Sequence, residues 1–72
     1  MVEIFKTNVT NKKLAEKVLK ILHATLPAYI FNFDLEDCDR ILRAQTEGTP
    51  VESSRIIREV ERLSIEIMAL PD

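Results

Sequence analysis

Apolar and polar positions along the chain change period five times, and six segments follow from those changes. Val2-Glu3-Ile4-Phe5-Lys6-Thr7 alternates with period two and is rich in β-branched and aromatic residues, which predicts a strand. A short polar loop follows, in which Thr10 or Asn11 is placed to cap a helix. From Lys12 to about Thr25 the period becomes 3.6. At ~100° per residue, Leu14, Val18, Leu19, Ile21, Leu22 and Leu26 share an arc of about 160°. Lys12, Lys13, Glu16, Lys17, Lys20 and His23 fill the opposite arc, and Pro27 ends the helix.

Alternation resumes at Tyr29-Ile30-Phe31-Asn32-Phe33-Asp34-Leu35, with Tyr29, Phe31, Phe33 and Leu35 on one side. Glu36-Asp37-Cys38-Asp39 reads as a turn, and Arg40-Ile41-Leu42-Arg43-Ala44 as the returning strand of a hairpin. Thr49-Pro50-Val51-Glu52 has the form of a capping box with proline at the first helical position. The predicted helix puts Ile56, Ile57, Val60 and Leu63 on one side and Arg55, Arg58, Glu59, Glu61 and Arg62 on the other. Ile65 to Leu70 alternates once more as a last strand, stopped by Pro71.

Strand, helix, strand, strand, helix, strand is the split βαβ order of a ferredoxin-like α+β fold, βαββαβ. Right-handed crossovers put both helices on one face of a four-stranded antiparallel sheet of spatial order 4-1-3-2. Residues 1–72 then form a single domain, with no repeat or linker. The other sheet face is left open. If Val2, Ile4, Phe33, Leu35, Ile65 and Ile67 face the helices, then Phe5, Ile30 and Met68 point outward among Glu3, Asn32 and Glu66. These three are the candidate interface residues, for a protein partner or a second copy. The second and third strands carry apolar residues on both sides, so the pattern leaves their facing open.

Composition narrows the chemistry. Twelve acids against ten bases give a net charge of −2, which argues against a nucleic-acid binder. No apolar run approaches the ~18 residues of a membrane span. The first stretch carries Glu3 and Lys6, unlike a signal peptide. One cysteine excludes an internal disulfide and a closed zinc site built on paired cysteines, and fits a reducing compartment. A cytoplasmic location is the expectation.

With the fold argued, the chain resembles the heavy-metal-associated domain, the copper-chaperone type of ferredoxin-like module, over nearly its whole length. In that family the first strand ends in a Met-Thr-Cys-x-x-Cys loop leading into the first helix. Here the matching stretch is Lys6-Thr7-Asn8-Val9-Thr10-Asn11. Phe31 to Leu35 and Arg40 to Arg43 are similar to the family's "V-x-V-D-L … V-x-V" hairpin. The resemblance implies a metal carrier, but Asn8 and Asn11 stand where the two metal-binding cysteines would be. Copper(I) prefers thiolate to a neutral carboxamide. The scaffold therefore carries over and the metal site does not.

The remaining candidates each have a plain reading. Cys38 lies among Asp34, Glu36, Asp37 and Asp39, whereas reactive cysteines need electropositive surroundings. As a calcium loop starting at Asp34, the stretch has Asp39 where glycine is needed and Gln45 where a bidentate Glu is needed. His23 is an exposed helix histidine without a partner of metal-ligand spacing. Lys12, Lys13, Lys17 and Lys20 form a basic ridge without the aromatics of a single-strand binder. No nucleophile–base pair or phosphate loop is enforced by spacing. The expectation is a small non-catalytic interaction or regulatory module, without cofactor. The alternative is a metal-ion carrier using Cys38 at a dimer interface.

Overall fold

The computed structural model describes residues 1–71. Six elements follow in order: β1 (Val2–Thr7), α1 (Lys12–Thr25), β2 (Ile30–Asp34), β3 (Ile41–Gln45), α2 (Ser53–Glu61) and β4 (Ile67–Ala69). The strands form one antiparallel sheet of order β2-β3-β1-β4, which is the expected 4-1-3-2 read from the other edge. The architecture is ferredoxin-like α+β. No helix among the described residues is long and apolar enough to cross a membrane.

Both helices close over the same side of this sheet. Ala15, Val18 and Leu22 of α1 and Ile56 and Val60 of α2 meet Phe5, Phe31, Leu42 and Ala44 of the sheet in one core. Val9, Leu26, Tyr29 and Ile65, from the connections, complete it. Ala15 is the one buried residue of α1 that the predicted apolar arc omits.

The facing of β1 is opposite to expectation, and this corrects one interface candidate. Phe5 is 0% exposed and sits inside, opposite Leu42 on one neighbour and Ala69 on the other. Val2 and Ile4, expected inside, lie on the open side with Lys6. The strand is apolar on both sides, so alternation alone does not choose between them. The choice falls to the larger ring, which fills the middle of the core and buries more area than either aliphatic residue. Thr7, on the same side, is buried with its hydroxyl donating to the carbonyl of Arg40 at 2.6 Å and accepting from the Val9 N–H at 3.2 Å.

α1 begins as its sequence suggests. Asn11 is the N-cap, and its side-chain oxygen accepts the Leu14 N–H at 2.8 Å, satisfying one of the free donors of the first turn. Asn11→Ala is expected to cost about 1 kcal/mol of stability. A urea midpoint unchanged by that substitution would show that the cap contributes nothing.

α2 departs from its local signal. It starts at Ser53 with Glu52 as N-cap, and no side chain caps it, so Thr49 does not close a capping box. Tertiary contacts hold the segment out of the helix instead, and the Ser53 N–H closes a tight turn on the Val51 carbonyl at 3.1 Å. The Tyr29 hydroxyl accepts the Glu52 N–H at 2.9 Å, and the buried Thr46 hydroxyl donates to the Thr49 carbonyl. Val51 packs against the core. Between them Gly48 takes φ +73°, a left-handed conformation that a side chain would strain.

Candidate docking face

Strand register places Val2, Ile4, Ile30, Ile41, Met68 and Leu70 on the side of the sheet away from the helices, together with Lys6, Asn32, Asp34, Arg43 and Gln45. Of the expected interface residues, Ile30 is 52% and Met68 57% exposed. They stand on opposite edge strands, so they bracket the face rather than form one cluster. Val2, at 45%, was not singled out, because the inverted facing of β1 hides it from a reading of alternation.

A hollow of about 390 Å³ opens on this face beside the hairpin turn, with Ile4, Ile41 and Leu70 among its apolar lining and Arg43 on its wall. Arg43 lies opposite Ile4 on β1 and Asn32 on β2. Among the described residues no carboxylate pairs with it. The acids at the mouth of the hollow are engaged elsewhere. Asp34 Oδ1 accepts the N–H groups of Glu36 and Asp37, and Asp37 Oδ1 accepts that of Asp39. Asp39 pairs with Lys6 at 3.6 Å. These carboxylates shape the turn, and among the described residues Arg43 is the cation of the face without an ion-pair partner.

The same turn holds Arg40 at φ 47°, a left-handed backbone uncommon for a residue with a side chain. Three bonds keep it there. Its N–H reaches the Asp37 carbonyl at 3.0 Å, its carbonyl accepts the Thr7 hydroxyl, and its guanidinium donates to the Leu35 carbonyl. The hairpin end is thereby clamped to β1, which fixes the rim of the hollow.

Asn8 and Asn11 both make structural bonds. Asn8 donates its N–H to the Glu66 carbonyl at 3.2 Å, and its side-chain oxygen accepts the Glu66 N–H at 3.0 Å. A side-chain amide thus extends the β1–β4 ladder by one pair beyond the strands. Asn11 caps α1, as described. Hydrogen bonds to backbone N–H groups are work for a hard oxygen, and the two residues together fasten the loop at both ends.

Cys38 is a free, exposed thiol. Asp37, Cys38 and Asp39 bring one donor atom each within 4.8 Å of one another. One thiolate with two carboxylates is a mixed donor set with no imidazole, ill matched to copper(I). His23 rests its ring against Phe31, with centroids 5.6 Å apart, and Tyr29 stacks on the same ring at 5.4 Å. Exposed though it is, His23 helps cover the aromatic end of the core. Lys12, Lys13, Lys17 and Lys20 are all exposed along α1.

No known protein-family model matches the chain, and no curated protein matches it.

Proposed function

We propose that this protein is a small non-catalytic interaction or regulatory module of the cytoplasm, built on a scaffold like the heavy-metal-associated domain but without its metal site. It docks through the open face of its sheet. The observation that carries this reading is the composition of that face: Val2, Ile30 and Met68 are exposed on the side that also carries Arg43, which has no ion-pair partner among the described residues. Exposed apolar side chains sharing a face with one arginine suit a protein surface, where apolar contacts accompany a directional charge. Asn8 and Asn11, occupied with backbone bonds, support a scaffold that needs no metal to close its loop.

The test is native mass spectrometry of the reduced protein across a concentration series, alone and with equimolar Cu(I) or Zn(II). A dimer lost in Ile30→Lys and Met68→Lys supports the open face as the docking surface. These variants are expected to change folding stability by no more than about 0.5 kcal/mol, as exposed positions do. A stoichiometric metal adduct that vanishes in Cys38→Ser overturns the reading in favour of a metal carrier.

A further inference from the structure

β2 is an edge strand, and the ladder fixes which of its main-chain groups are free. Met1 and Thr46 bond reciprocally, the Thr46 N–H reaching the Met1 carbonyl at 2.8 Å. In an antiparallel pair such bonded positions recur at every second residue. Thr46, Ala44 and Leu42 therefore bond toward β1, and Gln45, Arg43 and Ile41 toward β2. Their partners on β2 are Ile30, Asn32 and Asp34. Phe31 and Phe33 accordingly turn their N–H and C=O groups outward. The Tyr29 N–H obeys the same alternation, pointing away from β3 to the Leu26 carbonyl at 3.1 Å.

Ile30-Phe31-Asn32-Phe33-Asp34 contains neither proline nor lysine, the residues that commonly blunt an exposed edge. Alongside it, between β2 and α1, runs a groove of about 500 Å³ with Ala15, Leu19, Phe33 and Leu35 in its lining. Three acids, Glu16, Asp34 and Glu36, one base, Lys12, and the amide Asn32 complete it.

We propose that this edge takes an extended peptide segment as a fifth strand. Its alternate apolar side chains enter the groove, and a lysine or arginine lies at the end beside Asp34 and Glu36. Outward amide and carbonyl groups supply the main-chain bonds, the groove selects the side chains, and the acidic excess selects the charge. A second copy fits poorly. Strands only ~4.8 Å apart would set the two α1 helices side by side. The two grooves, each with Glu16, Asp34 and Glu36 against the single base Lys12, would then bring the same acidic excess together. This surface is separate from the open face and stands or falls without it.

The probe is an acetylated, amidated nonapeptide, Ser-Val-Thr-Val-Thr-Val-Thr-Arg-Lys, added to the 15N-labelled protein. Amide exchange at Phe31 and Phe33 is expected to slow by at least about tenfold, because both gain hydrogen bonds, with Asn32 little changed. N-methylation of the valines and of the threonines should differ, since only one set of alternate residues bonds to the edge. Glu16→Lys with Glu36→Lys should weaken binding about tenfold by reversing the charge of the groove. The proposal is overturned by unchanged Phe31 and Phe33 exchange at millimolar peptide, by equal effects of the two methylations, or by shifts confined to Ile4 and Met68. Protection that grows with protein concentration in the absence of peptide would also overturn it, by showing a second copy on the edge.

Discussion

Phe5→Ala is expected to cost about 3–5 kcal/mol, the usual loss when a buried aromatic is truncated and its cavity cannot collapse. Phe5 is fully buried on a central strand, between Leu42 on β3 and Ala69 on β4, where both strands resist closing over a void. A folded chain of 72 residues has about 4–11 kcal/mol of total stability, at roughly 0.05–0.15 kcal/mol per residue. The variant should thus be largely unfolded or show a steeply lowered urea midpoint by circular dichroism. Ile30→Ala, on the open face, is expected within about 0.5 kcal/mol of the parent in the same experiment. An effect of Phe5→Ala as small as that of Ile30→Ala would mean that β1 faces the other way.

The second large effect is a gain. Asn8→Cys combined with Asn11→Cys is expected to bind one Cu(I) per chain, detected by native mass spectrometry under reducing conditions. The pair would form Cys-x-x-Cys at the entry to α1, and a thiolate there is favoured by the helix N-terminus. The metal-free variant should be weaker than the parent. It loses the Asn11 cap, about 1 kcal/mol, and the Asn8 side-chain bond to Glu66, about 0.5–1.5 kcal/mol. Cu(I) should then restore the urea midpoint, since a ligand bound by the folded state alone stabilises it by mass action. Asn11→Cys by itself should show the loss without the recovery. A double variant that takes up no metal would remove the support for a heavy-metal-associated scaffold at this loop.

Local sequence was a good guide where one neighbour settles the matter. The N-cap at Asn11, the apolar stripe of α1 and the stop before Pro27 depend on residues within a turn of each other, and each stands where expected. The hairpin came out with its strands at Ile30–Asp34 and Ile41–Gln45, the first one residue shorter at each end than the pattern and the second shifted by one, because the Asp34 and Arg40 bonds decide where the turn begins and ends. At α2 the local signal lost. Thr49-Pro50-Val51-Glu52 had every part of a cap, but the Tyr29 hydroxyl and the core contact of Val51 hold the segment out of the helix, which starts one turn later. β4 is likewise shorter than the alternating run from Ile65, because Ile65 leaves the ladder to fill the core and Ser64 turns through φ 61°.

The candidate site was legible in part. Met68 follows from the alternation of the last strand, whereas Ile30 was placed on the open side of a strand whose apolar residues on both sides leave its facing open, and the register with β3 decides it. Phe5 could not be placed, since Val2, Ile4 and Phe5 are all apolar and alternate residues of β1 compete for the core. Arg43 had no sequence signal at all: its isolation follows from where Asp34, Asp37 and Asp39 spend their oxygens. The free groups of Phe31 and Phe33 were equally hidden, because the phase of a ladder depends on the strand at its far side.

What the amino-acid sequence determined by itself was the set and order of elements, hence the βαββαβ topology and the sheet order. Periodicity, caps and turn residues act over a few positions, and right-handed crossovers leave one arrangement for that order. Tertiary structure alone decided which side of β1 is inside, where α2 begins, and which charges and main-chain groups remain unpaired. Those outcomes depend on competition for one small core and on bonds between residues far apart in the chain, such as Tyr29 with Glu52 and Asn8 with Glu66.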